Sequence, residues 1–200
     1  MFVTFEGIDG SGKTTQAALL AEWAAGQGHE VVALREPGGT PLGERIRELL
    51  LDGPEMTPWA EAALFAAARA ELAERVIRPA LLRGAWVICD RYVDSSLAYQ
   101  GSARGLGIDA VRELNAAVTG GLVPDQTFVL LVDPEIALAR RGDRPDRIER
   151  EDGEFVRRVD RGYRELVASS PERYVVLDGA QPPDELAERV RRHLGRLAPA

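Results

Sequence analysis

Residues 7–14 read Gly-Ile-Asp-Gly-Ser-Gly-Lys-Thr, and this stretch decides how the rest of the chain is interpreted. It matches the phosphate-binding loop pattern of glycine, four variable positions, glycine, lysine, and serine or threonine. An apolar run at residues 2–5 precedes it, and residues 14–26 follow it with apolar positions at helical spacing. A strand, a glycine-rich loop and a helix in this order form the context that the pattern requires. The stretch therefore predicts binding of a nucleoside triphosphate.

The residue types in this loop suit the binding of phosphate. Gly7, Gly10 and Gly12 have no Cβ, so the backbone can turn sharply there and point its N–H groups at phosphate oxygens. The N-terminus of the following helix adds partial positive charge. We expect the ammonium group of Lys13 to reach the β- and γ-phosphates, and the hydroxyl group of Thr14 to bind Mg²⁺.

Composition narrows the class of protein. The chain has 200 residues, 45% of them hydrophobic and 28% charged, which is typical of one globular domain spanning residues 1–200. Its net charge of −7 argues against nucleic acid or a membrane surface as a partner. The single cysteine, Cys89, excludes an internal disulfide, and no apolar run approaches the length of about 18 residues needed for a membrane span. We therefore expect a cytoplasmic protein.

Short apolar runs alternate with helical patterns along the whole chain, which predicts an α/β fold with a central parallel sheet. Among the helices, one is predicted over residues 58–82, one opens at Asp133 and Pro134, and the last ends near Arg196. The five predicted strands are residues 2–5, 30–34, 86–89, 127–132 and 174–177. The fold class is that of the P-loop NTPases, with a five-stranded parallel sheet flanked by helices.

Chemically active side chains follow the predicted strands. Ligands bind outside the carboxyl ends of parallel strands, so these positions should form one active site. Asp90 and Arg91 follow the third strand, where the carboxylate is placed to hold Mg²⁺ and the guanidinium group to bind phosphate. A surface ion pair that caps the strand is the alternative.

Two further patterns allow both a functional and a structural interpretation. Phe65 and Arg69 lie on one face of the helix at 58–82, where they can stack on a base and hydrogen-bond it, but the pattern alone favours Phe65 as a core residue. Residues 140–150 contain five arginines interleaved with acids, glycine and proline. They form either a solvated loop of mixed charge or a lid that neutralises a transferred phosphoryl group.

With these motifs in place, the chain resembles the bacterial thymidylate kinases, which are nucleoside monophosphate kinases that make dTDP from dTMP. The resemblance runs nearly from end to end. It is carried by residues 5–14 (Phe-Glu-Gly-Ile-Asp-Gly-Ser-Gly-Lys-Thr), 35–40 (Arg-Glu-Pro-Gly-Gly-Thr), 65–69 (Phe-Ala-Ala-Ala-Arg), 90–92 (Asp-Arg-Tyr), 95–101 (Ser-Ser-Leu-Ala-Tyr-Gln-Gly), 124–125 (Pro-Asp) and 146–149 (Asp-Arg-Ile-Glu). It implies a nucleoside monophosphate kinase form of the fold, with a short lid near residues 140–151.

The resemblance assigns a set of residues to dTMP. Phe65 would stack on thymine, and Arg69 would hydrogen-bond its carbonyl edge. Tyr99 would lie against C2′ of the sugar and so favour deoxyribose. Arg91 would hold the substrate phosphate and act in catalysis. The other substrate-binding residues would be Asp9 and Glu36, near the 3′-hydroxyl group and the phosphate, Ser96 and Gln100, near the base, and Pro37.

The resemblance also assigns residues to ATP, Mg²⁺ and the lid. Adenine would pack between a lid arginine, Arg140, and the loop that contains Gln181. The phosphate loop has no arginine among its variable positions, so the lid would supply the catalytic arginine, and Arg144 and Arg147 are the two candidates. A homodimer is implied, with the helices around Leu64 and Val111 as candidate interfaces. The ATP-binding residues would be Gly7, Ile8, Asp9, Gly10, Ser11, Gly12, Lys13 (also catalytic) and Thr14, with Thr14 and Asp90 holding Mg²⁺.

Two rival functions stay open at this point. Another small-molecule kinase of the same fold, such as a deoxynucleoside, adenylate or shikimate kinase, would need a carboxylate base beside its acceptor hydroxyl, and Glu36 is available for that role. A regulatory P-loop switch, either a GTPase or a partition-type ATPase, is the second. The Asn-Lys-x-Asp motif that a GTPase uses for guanine is missing from the sequence. Phe65, Arg69 and Tyr99 suit a deoxypyrimidine acceptor better than they suit the acceptors of the rival kinases.

Overall fold

The chain forms an α/β structure in the computed structural model, which describes residues 1–140, 142 and 145–195. Its five strands are all parallel and lie in the order β2-β3-β1-β4-β5. The strands are β1 (Phe2–Glu6), β2 (Val31–Arg35), β3 (Trp86–Asp90), β4 (Gln126–Leu131) and β5 (Tyr174–Asp178). The predicted five-stranded parallel sheet is therefore confirmed, and each predicted strand end lies within one residue of the observed one.

Helices connect the strands and cover the sheet. They are α1 (Lys13–Gly26), α2 (Pro41–Asp52), α3 (Pro58–Leu72), α4 (Arg78–Leu82), α5 (Val93–Ser96), α6 (Ile108–Thr119), α7 (Pro134–Ala139), α8 (Gly153–Ser169) and α9 (Pro183–Leu194). A π-helical turn, Ala73–Ile77, joins α3 to α4, so the single helix predicted over residues 58–82 is confirmed. The predicted end of the last helix, Arg196, lies outside the described residues. None of the helices in the described part of the chain is both long and apolar enough to cross a membrane.

The alternation of side chains along β1 divides the core between the two faces of the sheet. Val3 and Phe5 point to one face, where they pack with residues of α1 and α9 such as Leu20 and Val190. Phe2 points to the opposite face and packs with the α3–α4 region. The three central strands are buried as predicted, but the edge strands β2 and β5 are partly exposed because each has only one neighbour.

The segment after β3 brings several side chains to the cavity described below. Helix α5 continues into a π-helical segment, Leu97–Ala103, which carries Tyr99 and Gln100. Helix α8 packs closely on this segment at Gly162, where a Cβ would lie 3.2 Å from Cα of Ala98. π-Helical turns are frequent at functional sites because they change which side chains share a face.

Candidate active site

The phosphate loop has the glycine conformations that its sequence predicts. Gly7, Gly10 and Gly12 have φ values of 141°, 85° and 100°, a region that side chains with a Cβ rarely adopt. A Cβ at Gly10 would also lie 2.3 Å from the carbonyl oxygen of Ala137. The Ser11 hydroxyl group is buried without a hydrogen-bond partner among the described residues. Helix α1 begins at Lys13, directly after the loop, so its N-terminus lies at this site.

Lys13 is buried against the loop. Its Nζ donates to the carbonyl oxygen of Ile8 at 2.8 Å and lies 3.8 Å from a carboxylate oxygen of Asp9. Burial and the nearby Arg91 lower the pKa of Lys13 from 10.5 to about 8. The ammonium group is therefore held with few solvating partners, a state in which an added anion stabilises it strongly.

Asp90 and Thr14 lie together at the carboxyl end of β3. The Thr14 hydroxyl donates to Oδ2 of Asp90 at 2.5 Å. The other carboxylate oxygen, Oδ1, is buried and has no hydrogen-bond partner among the described residues. A hydroxyl group beside a carboxylate oxygen with an unused lone pair is a hard oxygen donor set, which fits Mg²⁺.

Arg91 follows Asp90 with a left-handed backbone, at φ 71°. Its Nη2 donates to Asp9 at 2.5 Å and to the Tyr99 hydroxyl at 3.2 Å. Its Nη1 donates to the carbonyl oxygen of Gly7 at 3.1 Å and to Ser95 Oγ at 2.9 Å. Burial would raise the pKa of Asp9, but the charges of Arg91 and Lys13 outweigh burial and lower that pKa well below its usual range.

Glu6, at the end of β1, is a site residue that the sequence analysis missed. It is fully buried, and it accepts hydrogen bonds from the Tyr92 N–H at 2.7 Å, Ser95 Oγ at 2.6 Å and the Tyr163 hydroxyl at 3.0 Å. Burial, together with the nearby Asp94, raises the pKa of Glu6 to about 7. An acidic residue at the end of an otherwise apolar strand was the signal available in the sequence.

A cavity of about 640 Å³ opens beside the phosphate loop. Phe65 is half-buried in its wall, which also includes Ile148 and Glu149. Residues from five separate segments of the chain meet here, because the ends of β1, β2 and β3 are adjacent in the sheet. The predicted site residues that line it are Asp9, Lys13, Thr14, Glu36, Pro37, Phe65, Arg69, Asp90, Arg91, Ser96, Tyr99 and Gln100.

Arg69 lines this cavity but is fully bonded within the protein. It donates to Glu36 at 2.7 Å, to Ser96 Oγ at 2.9 Å, to the Tyr92 carbonyl oxygen at 3.0 Å, and to Asn115. Burial of Arg69 would lower its pKa, but the partner carboxylate of Glu36 raises it. The predicted hydrogen bond to a base would have to share one of these donors, since all five N–H groups of the guanidinium are engaged.

The arginines assigned to the lid differ in position. Arg147 does not line the cavity: its side chain is buried and donates to the Leu50 carbonyl oxygen and to Glu61, both at 2.8 Å. Arg140 donates to the carbonyl oxygens of Gly10 and Gly179, at 3.2 Å and 2.8 Å, and so lies between the phosphate loop and the segment that contains Gln181. Arg144 lies outside the described residues.

The site combines a phosphate loop with a buried lysine, a strand-end aspartate and a cavity that continues from them at one edge of a parallel sheet. These features define a P-loop kinase of the nucleoside monophosphate kinase fold. The comparisons with known proteins identify the family. The sequence model of the thymidylate kinase family matches residues 5–190, so the chain belongs to the thymidylate kinase family.

Individual relatives agree with this assignment. The thymidylate kinase of Deinococcus radiodurans is 50% identical, over 95% of this chain and 94% of the relative. That of Synechococcus sp. (strain JA-3-3Ab) is 52% identical, over 95% of this chain and 93% of the relative. The crystal structure of thymidylate kinase from Ehrlichia chaffeensis is 36% identical, covers 98% of both chains and superposes with a TM-score of 0.82.

The lowered pKa of Lys13 predicts how ATP binding depends on pH. Below about pH 8, Lys13 is already charged in the free enzyme. Above about pH 8, ATP must bind together with a proton, because the phosphates of ATP restore the ordinary pKa of Lys13. The Kd for ATP should therefore rise up to about tenfold per pH unit above pH 8. Calorimetry in two buffers of different ionisation enthalpy measures both the Kd and the proton uptake.

The control for this experiment is Lys13→Arg, since a guanidinium group stays charged over the same range. The Kd of this variant for ATP is expected to be higher than that of the wild type but nearly independent of pH between about 8 and about 9.5. A wild-type Kd that stays constant above pH 8, without proton uptake, would contradict the assigned state of Lys13.

Proposed function

We propose that this chain transfers the γ-phosphoryl group of ATP to dTMP, giving dTDP for dTTP synthesis. The observation that carries the proposal is the meeting of two half-sites in one cavity. Lys13, Thr14 and Asp90 line it on the phosphate-loop side, and Phe65 and Tyr99 line it on the acceptor side. An apolar wall with an aromatic ring beside a buried arginine suits a nucleoside monophosphate. Membership of the thymidylate kinase family supports dTMP as that acceptor.

The reaction needs positioning and charge neutralisation more than it needs a base. The attacking phosphate oxygen of dTMP is already anionic near neutral pH, so no carboxylate has to remove a proton from it. Arg91 would hold the acceptor phosphate, and Lys13 would neutralise charge on the phosphates of ATP. Arg91 is pre-positioned for this role because Gly7, Asp9 and Ser95 already fix its two terminal nitrogens.

The metal that fits this site is Mg²⁺, which Thr14 and Asp90 would hold. When bound, Mg²⁺ neutralises phosphate charge and orients the β- and γ-oxygens. The buried and unpartnered Oδ1 of Asp90 supports this role. The described residues contain no cluster of three or more acidic, histidine or cysteine side chains, which fits a metal that keeps waters and substrate phosphates as its other ligands.

The acceptor assay is the first test of the function. With ATP and Mg²⁺, ADP release is measured against dTMP, dUMP, UMP, AMP and thymidine as acceptors. We expect the highest kcat/KM with dTMP, because Phe65 stacks on the base and Tyr99 excludes a 2′-hydroxyl group.

Other results of this assay would overturn the proposal in distinct ways. Turnover with thymidine or AMP alone would keep the ATP site but remove every assignment on the acceptor side. An absence of turnover stimulated by any acceptor would favour the regulatory ATPase class instead.

Removal of the metal-binding carboxylate tests the role of Asp90. In Asp90→Asn, the Mg²⁺ concentration for half-maximal activity should rise about 10- to 100-fold. The matched control is Asp133→Asn, since Asp133 also follows a strand but only caps α7 through the Glu135 N–H. A Mg²⁺ titration of the Asp90 variant that overlays the wild type would remove Asp90 from the metal site.

A homodimer remains part of the proposal, with the helices around Leu64 and Val111, which are α3 and α6, as its candidate interfaces. Val111 itself is fully buried inside the chain, so a contact made by α6 would use its exposed neighbours. Three of the exposed large apolar side chains lie on α2 and at the start of α3: Leu42, Leu49 and Trp59, each about half exposed at 49%, 51% and 50%. The cytoplasmic location stays a prediction from the sequence, as does a lid near residues 140–151.

Sedimentation velocity tests the dimer. At micromolar concentration we expect a species of twice the chain mass of 21.8 kDa, and Leu49→Glu should shift it toward the single-chain mass. The wild type sedimenting as a single chain at every concentration would contradict the dimer.

A further inference from the structure

Glu61 is a buried carboxylate that lies behind the wall of the cavity. It belongs to α3, is 1% exposed and does not itself line the cavity. It accepts hydrogen bonds from three side chains: Gln100 Nε2 at 2.9 Å, Arg104 Nε and Nη2 at 3.2 Å and 3.1 Å, and Arg147 Nη2 at 2.8 Å. No role in the reaction described above uses this residue.

The partners of Glu61 keep its carboxylate ionised. Burial would raise the pKa of Glu61, but the hydrogen bonds from Gln100, Arg104 and Arg147 outweigh burial and lower it. An ionised carboxylate can only accept hydrogen bonds. The side-chain amide of Gln100 must therefore turn its N–H₂ group toward Glu61, and its carbonyl oxygen away from it.

The other end of the Gln100 amide is left for a ligand. Gln100 lines the cavity together with Phe65 and Tyr99. The side chain of Gln100 donates through Nε2 to Glu61, and none of the described residues donates a hydrogen bond to its Oε1. The orientation of the amide follows here from the charge of Glu61, which removes the usual ambiguity between the oxygen and nitrogen of a glutamine.

We propose that Glu61 is a positioning residue for base selection: it fixes the Gln100 amide so that Oε1 is presented to the acceptor base as a hydrogen-bond acceptor. The site would then select pyrimidines whose ring N3 carries a hydrogen, such as thymine and uracil, against cytosine. This inference rests on the proposed function, because it assumes that the cavity binds the base of a nucleoside monophosphate.

The physical basis of the selection is the cost of an unpaired buried acceptor. N3 of cytosine is itself an acceptor, so it would face Oε1 of Gln100 without a hydrogen between them, and both groups would lose their water. Rotating the amide to suit cytosine would aim Oε1 at the Glu61 carboxylate instead. Glu61 therefore blocks the one adjustment by which Gln100 could accommodate the wrong base.

The test compares kcat/KM for dTMP and dCMP in three proteins. In Glu61→Gln, residue 61 can also donate, the Gln100 amide can rotate, and the dTMP-to-dCMP ratio should fall about tenfold or more. The matched control is Glu151→Gln: Glu151 pairs with the same Arg104 but does not contact Gln100, so its ratio should equal that of the wild type. A merely structural role for Glu61 would lower both kcat/KM values together and leave the ratio unchanged.

A second measurement uses the wild type and does not depend on how the variant folds. In ¹⁵N-labelled protein, the signals of the Gln100 side-chain N–H₂ group are assigned by their loss in Gln100→Leu. These protons should be protected from solvent exchange both with and without dTMP. Rapid solvent exchange of both protons in the protein without dTMP would mean that the nitrogen faces the open cavity instead of Glu61, and would overturn the inference.

The outcomes separate this inference from the function beneath it. In one outcome the wild type prefers dTMP over dCMP, and a folded Glu61→Gln variant has a dTMP-to-dCMP ratio within about twofold of the wild-type ratio. That outcome would overturn the role of Glu61 and leave the proposed function standing. A wild type that does not phosphorylate dTMP would overturn the proposed function and this inference with it.

Discussion

The guanidinium group of Arg91 joins the elements on which the site depends. From the end of β3 it reaches the phosphate loop through Gly7 and Asp9, and the helical segment after β3 through Ser95 and Tyr99. The backbone at Arg91 is left-handed, with φ 71°. Such a conformation is unfavourable for a residue with a long side chain, so its presence indicates that these partners over-determine it.

Buried charge is the general constraint of this site. Each buried ion is costly unless it is paired, and here the carboxylate of Asp9 pairs with both Arg91 and Lys13. Phosphate groups bring negative charge to the same place and would compete with Asp9 for the two cations. The resting ion pairs therefore keep the cations ordered for substrate, which reduces the reorganisation needed when phosphates bind.

Residues near the lid fall into two groups according to their partners. Arg147 is held by Glu61 and by the backbone of α2, so it acts as an anchor that ties residues 145–151 to the body of the domain. Arg140 instead contacts the phosphate loop. The sequence positions of the two arginines do not reveal this difference. The difference depends on which buried carboxylates and carbonyl oxygens lie next to each arginine in the folded chain.

The sequence by itself determined the fold class, the five strands and the phosphate loop, because these follow from local patterns: apolar runs, helical spacing and glycines at positions of positive φ. It also predicted that the side chains after β1, β2 and β3 would line one cavity, since residues after parallel strands share one edge. Only the tertiary structure decided the partners of buried charges. Glu6, Glu61 and Arg147 look like ordinary charged residues in the sequence. Their roles come from contacts across 39 or more positions of chain, which no local pattern encodes.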